Sequence, residues 1–499
     1  MGQRDGGGYR RHLCGQDAEH TAKAGNINEA LALCDAELIG FLDADHIPSE
    51  GFLRDTIGYF DDPMVGLVQT PQDFYNTESF EHIGDFCEEE LFYRVIQPGK
   101  NFWGGAFWCG TSAIVRSRAL RSVGGVATDS VTEDLLTTIR IHSRGWQTVF
   151  HNVVLARGLA PTTYTEYLVQ RRRWASGAMQ ILRSSENPLI AKGLTRSQRL
   201  AHMTSLLGWF EGARTMGYLL LAVVVAITNI EPVQNSLVTF IVFHLVVVGV
   251  SQLAMHRLGQ GRHRFFPSLL FDYLRLPATI TALSQLAANG RLAFQVTPKG
   301  RASDKVQAER LIPPAPSSLL VLLALTQLVW LLFLLRGLGV VPGTNEPQST
   351  ISAIVLLVNS VILALALKRI RMGHFGDERR RARRFSRELT VLINGKTFRL
   401  KRPSTSGGFI EGRPTIGRQR IDVLTREGTV AVDCWVADHD GEGSTVEFVP
   451  GQWATRGQLA RTMYLEAIEV AEAPTLRSGQ IQEPIRPTAP KYTPPVHRS

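Results

Sequence analysis

Cysteine is scarce in this chain: five residues in 499, at Cys14, Cys34, Cys87, Cys109 and Cys434. No two of them form a CxxC pair and no zinc-ligand spacing occurs, which excludes a zinc module and argues for a reducing compartment without disulfides. The first 25 residues are polar and glycine-rich and lack the apolar stretch of a signal peptide. Charge is missing altogether from residues 317 to 334 and from ISAIVLLVNSVILALAL (351 to 367). Both runs are long enough to cross a bilayer, which excludes a wholly water-soluble chain. VTFIVFHLVVVGVSQLAM (238 to 255) and TMGYLLLAVVVAITNI (215 to 230), the latter extended backwards through WFEGAR, read as two further crossings.

Lys and Arg are absent from the connections NIEPVQN (229 to 235) and VPGTNEPQS (341 to 349). They crowd instead into TRSQR (195 to 199), HRLGQGRHR (256 to 264) and residues 368 to 384. The positive-inside rule therefore places everything before residue 200 and after residue 368 in the cytoplasm. The formal net charge of +9 then has its explanation in topology and anionic lipid, with no call for nucleic acid. Residues 265 to 288 are apolar but interrupted by Asp272, Arg275 and two prolines. They read as a helix lying at the cytoplasmic interface rather than as a fifth span.

The front of the chain reads as α/β. GNINEALAL (25 to 33) and EGFLRDTIGYF (50 to 60) have helical period; AELIGFLDAD (36 to 45) and MVGLVQTP (64 to 71) read as strands. The first strand runs into Asp43 and Asp45, which an extended backbone points to one side. Two carboxylates at the carboxyl end of such a strand suit a hard divalent cation, whose remaining positions waters and substrate phosphates fill. An ordinary acidic turn is the plainer reading of the pair taken alone. Three later stretches follow in order. FWCGTSA (107 to 113) reads as a small-residue turn, Thr132, Glu133 and Asp134 stand as a cap ahead of a helix, and QRRRW (170 to 174) sets three arginines against a tryptophan.

AKAGNIN (22 to 28), DAD (43 to 45), QTPQDFYN (69 to 76), FWCGTSA, TED and QRRRW together resemble the processive family 2 glycosyltransferases of the cellulose synthase type. FQVTPKG (294 to 300), with Thr297 and Lys299, looks like that family's gating loop. The resemblance implies a GT-A glycosyltransferase domain over residues 1 to 200, incomplete at its amino terminus, and a membrane region with the gating loop over 201 to 370. It implies an inverting, UDP-sugar-dependent synthase of a β-linked glucan in the plasma (inner) membrane, exporting its product, with chitin-type and hyaluronan-type synthases sharing the motifs. Mg²⁺, with Mn²⁺ as the alternative, would sit on Asp43 and Asp45, and Lys23 would position the UDP moiety. Gln170 and Arg173 would meet the diphosphate, Trp174 would stack on the acceptor sugar, and Cys109 would line the acceptor site or be an inert buried thiol. Asp134 would be the base of the Thr132–Glu133–Asp134 motif, and accessory synthase subunits are implied as partners.

The family carries two crossings and an early aspartate motif before AKAGN, where this sequence has about twenty residues. The expectation is thus of a truncated synthase with crippled nucleotide binding, or of a non-catalytic remnant. After the membrane the period changes to two. LTVLINGKTFRLK (389 to 401) reads as a hairpin turning at Asn394-Gly395, and residues 420 to 425, 429 to 438 and 444 to 449 continue an antiparallel barrel. This region, 371 to 472, resembles a PilZ domain, so that cyclic di-GMP becomes the implied activator. Arg379, Arg380, Arg383 and Arg384 would hold it, with Ser406 in the second motif. An amphipathic helix (458 to 471) and a disordered tail (473 to 499) are expected to follow.

Overall fold

The computed structural model describes residues 22–74, 76, 79–228, 237–287, 315–342, 347–372, 388–404, 407–425, 428–439, 443–449, 455, 458 and 459. Thr297, Lys299, the four arginines 379, 380, 383 and 384, Ser406, residues 460–471 of the helix expected from the sequence and the expected tail lie outside them.

Helices α1 (Ala22–Ala32), α2 (Gly51–Ile57), α3 (Gln97–Phe102), α4 (Ser117–Ser122), α5 (Glu133–Ser143), α6 (Tyr164–Arg183) and α7 (Arg196–Leu207) surround a four-stranded sheet. Its strands are β1 (Leu38–Phe41), β3 (Val65–Gln69), β7 (Ala113–Arg116) and β8 (Gln147–Phe150), in the order β1-β7-β3-β8. The sheet is mixed: β7 runs antiparallel to both β1 and β3, while β3 and β8 are parallel. Period-two alternation along β7 sends Ala113 and Val115 into a core with Phe41, Leu67 and Trp108. Ile114 goes to the opposite face, with Phe52, Val65 and Val68. Helices therefore cover both faces.

Two shorter sheets attach to this body. β2 (Ile47–Pro48), β9 (Ala156–Gly158) and β4 (Asp73–Phe74) pair in that order, and β5 (His82–Ile83) turns back on β6 (Phe86–Cys87). Between β6 and α3 the chain makes one π-helical segment, Phe92–Ile96.

Among the described residues, four helical stretches are long and apolar enough to cross a membrane: Arg196–Thr228, Ile241–Leu258, Ser317–Gly337 and Thr350–Arg371. They include α8 (Glu211–Thr228) and α9 (Leu237–Leu258), and they match the four runs read from the sequence. Helix α10 (Phe265–Leu283) is not among the four. It packs on α6 through Phe271 and Leu274, in one apolar cluster with Tyr164, Tyr167, Leu219 and Leu363. The charges that interrupt its sequence are paired inward. Arg275 Nε donates to Glu211 Oε1 (2.6 Å), and its guanidinium also reaches Asp272 and Glu88.

The carboxyl-terminal strands β10 (Glu388–Ile393), β11 (Lys396–Ser404), β12 (Gly407–Glu411), β13 (Gly417–Thr425), β14 (Gly428–His439) and β15 (Gly443–Phe448) form a closed antiparallel barrel. Its first hairpin turns at Asn394 (φ 50°) and Gly395 (φ 77°), as the Asn-Gly pair requires. Strand β12 was not read from the sequence. Gly408 lies within it opposite Val446.

Candidate functional site

The sheet edge formed by Phe41, Ala113, Gln69 and Phe150 gathers the motifs, because β1, β3 and β8 end there and β7 begins there. Strand β1 stops at Phe41, two residues short of the acidic pair. Thr111 Oγ1 accepts the Asp43 amide (2.9 Å), and the Asp43 carbonyl accepts from the His46 amide (2.9 Å). Asp43 and Asp45 therefore sit in a turn, not on an extended strand as the sequence suggested. Curling the backbone, rather than the pleat, brings the two carboxylates together.

A third group joins them. Ligand atoms of Asp43, Asp45 and His46 all lie within 4.8 Å of one another. His46 Nδ1 is 3.4 Å from Asp45 Oδ1, and Asp45 Oδ2 accepts from the Leu159 amide at 3.3 Å. The imidazole lies flat against Gly158, where any Cβ would come within 2.3 Å of the ring. Two carboxylates and an imidazole form a donor set that fits a divalent cation, the carboxylates suiting Mg²⁺ and the nitrogen favouring a transition metal such as Mn²⁺. His46 is not among the site residues expected from the sequence. Its adjacency to DAD is the only signal for it.

Lys23, on the first turn of α1, donates to Asp43 Oδ1 (2.6 Å) and to the Gly110 carbonyl (2.7 Å). Gly110 has φ +82°, and a Cβ placed there would lie 3.0 Å from Asp134 Oδ2 and 3.5 Å from Lys23 Nζ. Asp43, Lys23, Gly110 and Asp134 thus form one line across the site.

The turn that carries Gly110 is pinned from below by Gln69, which is wholly buried. Its Nε2 donates to the Thr70 and Thr111 carbonyls and its Oε1 accepts from the Cys109 amide (2.8 Å). Gln72 Nε2 holds the Cys109 carbonyl at 2.8 Å. The Cys109 thiol accepts from Gln97 Nε2 at 3.2 Å. Burial, then the Asp134 charge, pushes its pKa well above the ordinary thiol range, so it is a protonated packing group rather than a nucleophile.

Thr132 stands at the N-cap of α5 but makes no capping bond, contrary to the sequence reading. Its hydroxyl is 3.1 Å from Ser130 Oγ and faces Gly177 of α6, where a Cβ would meet it at 2.2 Å. The N-terminal turn of α5 is instead fastened by Asp134 Oδ1, which accepts from the Leu135 amide (2.7 Å). Burial and the neighbouring Glu133 raise the Asp134 pKa to about 7, against the lowering pull of Lys23 and Arg173. A carboxyl poised there can exchange a proton near neutrality. The far end of α5 is locked by buried His142, which lies 2.9 Å from both His202 Nε2 and Thr148 Oγ1.

The QRRRW stretch divides by position on α6. Arg171 is buried among Glu81 (2.8 Å), Glu88 (2.9 Å) and Glu89 (2.7 Å). Its guanidinium also lies 4.4 Å from the Trp174 ring centroid. It is a structural cation, with Gln170 Oε1 accepting a long contact from it (3.4 Å). Arg173 is half-buried and acts on Asp134, and Trp174 meets Trp209 edge-on at 6.4 Å. The acidic hairpin that holds Arg171 carries no signal that sequence reading used.

Residues 38–338 match the family model described as "Glycosyl transferase family group 2". The chain is 36% identical over 301 residues to a cellulose synthase catalytic subunit [UDP-forming] of Pseudomonas fluorescens (strain SBW25), covering 58% of this chain and 40% of that one. It is 31% identical over 477 residues to putative cellulose synthase 2 of Komagataeibacter xylinus, covering 87% of this chain and 30% of the relative. Over 197 residues it is 41% identical to a cellulose synthase catalytic subunit [UDP-forming] of Xanthomonas axonopodis pv. citri (strain 306), covering 38% of this chain and 27% of that one. The chain thus spans two fifths or less of the length of these curated relatives. A solved mannosyltransferase of Pyrobaculum calidifontis, in complex with GDP-Man and Mn²⁺, aligns at 16% identity over 70% of this chain and 68% of its own. Its TM-score of 0.24 is too low to carry anything over.

Proposed function

The chain belongs to glycosyl transferase family group 2, and from that premise we propose that it transfers sugar from a UDP-activated donor to a growing β-linked glucan at a membrane. The catalytic body has the GT-A-type fold of that family. Cellulose is the product proposed, on the similarity to cellulose synthase catalytic subunits. The observation that carries the reading is the line Asp43–Lys23–Gly110–Asp134, which sets a metal-type carboxylate turn beside a carboxyl titrating near neutrality.

In this reading Asp43 and Asp45, with His46 beside them, hold Mg²⁺ or Mn²⁺. When bound, the cation stabilises the charge that develops on the diphosphate. Lys23 and Arg173 add positive charge on the same side, and Gln170 supplies a polar contact. Ionised Asp134 accepts the acceptor hydroxyl's proton as that oxygen bonds to the anomeric carbon. The anomeric carbon–oxygen bond breaks, its electron pair leaves with UDP, and the anomeric centre inverts. Glu133 keeps the Asp134 pKa high, and Thr132 seats the α5 terminus against α6. Trp174 offers a face to the acceptor sugar, while Cys109 shapes the acceptor turn through its pinned backbone.

The basic loops favour a multi-pass protein of the plasma (inner) membrane with the catalytic body and barrel in the cytoplasm, divided near residues 200, 370 and 472. The barrel is proposed as a PilZ-type receptor for cyclic di-GMP, bound chiefly by the arginine run 379–384 through bidentate contacts and stacking. Accessory synthase subunits are proposed partners. The deciding experiment is incorporation of radiolabelled UDP-glucose into polymer by membranes holding the chain, together with UDP titration of the purified protein. Wild-type polymer formation that Asp134→Asn abolishes, with UDP affinity kept, supports the reading. Undiminished synthesis by that variant would remove Asp134 from its role.

A further inference from the structure

Behind the Cys109 turn lies a cavity of about 560 Å³ that the catalytic line does not use. Its floor is the parallel pair β4–β9, in which Asp73 stands beside Arg157 and accepts from its Nε (2.7 Å). One wall is the π-helical segment Phe92–Ile96, which turns buried Tyr93 toward Cys109 and Arg94 toward Asn152. Such segments are rare and recur at functional sites. Gln72 closes the side facing the site, donating to the Cys109 carbonyl across the shared wall.

The lining narrows the ligand class. Three carboxylates, Asp73, Glu89 and Glu90, line it together with the guanidinium groups of Arg94 and Arg157, and because each carboxylate has its own arginine partner the lining holds no block of one charge sign to select an ionic ligand. The carboxylates are engaged in ion pairs with Arg157, Arg171 and Arg262, so they are not a vacant cation site. What remains is a set of planar groups, amides and guanidinium groups, with rings at Phe74 and Tyr93. Flat donor–acceptor groups beside aromatic rings match a ligand made of hydroxyls and C–H faces, and the volume falls within the usual range for ligand sites, about 300–1,000 Å³.

We propose that this cavity is a second carbohydrate subsite, holding a short neutral β-linked oligosaccharide on the far side of the Cys109 turn from the donor. The proposal rests on the transferase reading above.

Calorimetric titration of the detergent-solubilised full chain with cellotetraose, and separately with UDP, tests it. Wild type binds both. Arg94→Ala and Asn152→Ala weaken cellotetraose by roughly tenfold or more, the scale of one lost hydrogen bond to a charged or amide group. Val153 is an exposed residue of the lining, so Val153→Trp adds bulk to the cavity wall without disturbing the core and weakens cellotetraose binding to at least the same extent. UDP affinity is unchanged in all three variants. Cellotetraose binding that is absent from wild type while UDP binds, or equal in wild type and all three variants, overturns the subsite and leaves the transferase reading standing. Failure of wild type to bind UDP overturns both.

Discussion

Lys23 Nζ lies 2.6 Å from Asp43 Oδ1 and 2.7 Å from the Gly110 carbonyl oxygen, so one ammonium ties α1 to two separate turns of the site. It already supplies a cation to the acidic pair, and any divalent ion must share Asp43 with it. Asp45 is fixed independently, by His46 and the Leu159 amide. The two carboxylates therefore differ: one is held by a charge, the other by the backbone.

Asp43→Ala and Asp45→Ala should each weaken UDP binding and leave it insensitive to Mg²⁺, because the two carboxylates together would hold the cation that attracts the diphosphate. In Asp43→Ala the stranded Lys23 keeps part of the diphosphate attraction, so its loss should be the smaller. UDP titrations with and without saturating Mg²⁺ check this. If Mg²⁺ strengthens binding equally in wild type and both variants, the pair is only a turn.

Gly110→Ala should be disproportionately harmful for one methyl group. The residue needs φ +82°, and the new carbon would press on Asp134 Oδ2 and Lys23 together. A non-glycine residue in that backbone region costs about 1–2 kcal/mol, and displacing Asp134 should lower transfer tenfold or more. Gly99→Ala, with nothing within 4 Å and no positive φ, is the matched control. Equal activity of the two variants would separate Gly110 from the chemistry.

Arg171→Ala should destabilise the fold by about 3–5 kcal/mol, since it leaves Glu81, Glu88 and Glu89 buried without their shared cation. Arg171→Lys should rescue little, because an ammonium cannot span three carboxylates as the planar fork does. Thermal unfolding in detergent measures both. A loss below about 1 kcal/mol for Arg171→Ala would mean that the network is not what seats α6.

The ordered motifs, the four spans and the Asn394-Gly395 hairpin were legible because each depends on local signals: residue type at fixed spacing, run length, and a turn that demands positive φ. The line from Asp43 to Asp134 was not, because Lys23 and Gly110, which join its two halves, are 87 residues apart in sequence and meet only through the sheet edge. Arg171 shows the same limit inside one motif. Its neighbour Arg173 is identical in type, yet α6 turns the one into an acidic pocket contributed by residues 81 to 89 and the other toward Asp134. Strand β12 was missed because Gly407 and Gly408 give no alternating pattern. They fit there because glycines let Val446 and Leu400 approach closely. The π-helical segment has no sequence signature at all.

Asp134 couples chemistry to stability with opposite signs. Burial and Glu133 raise its pKa to about 7, above the usual carboxylate value of about 4. Between these values the folded chain holds a proton that the unfolded chain has released. Stability from this group is thus fully present below about pH 4 and falls as pH rises through about 7. Activity should run the other way, because a base must be ionised, and the acidic limb of the transfer profile should have its midpoint near 7 in the substrate-free enzyme. Asp134→Asn removes both effects. At pH 8 the variant should be more stable than wild type by about 1–2 kcal/mol, a figure reduced for the partial exposure of the carboxyl. At pH 4 the two should be alike, and transfer should be lost at every pH. Thermal unfolding of both proteins at pH 4, 6 and 8, beside the pH dependence of transfer by wild type, tests the pairing. An unfolding difference that does not grow with pH would show that Asp134 ionises freely in the fold, and the assignment of a base poised near neutrality would fall with it.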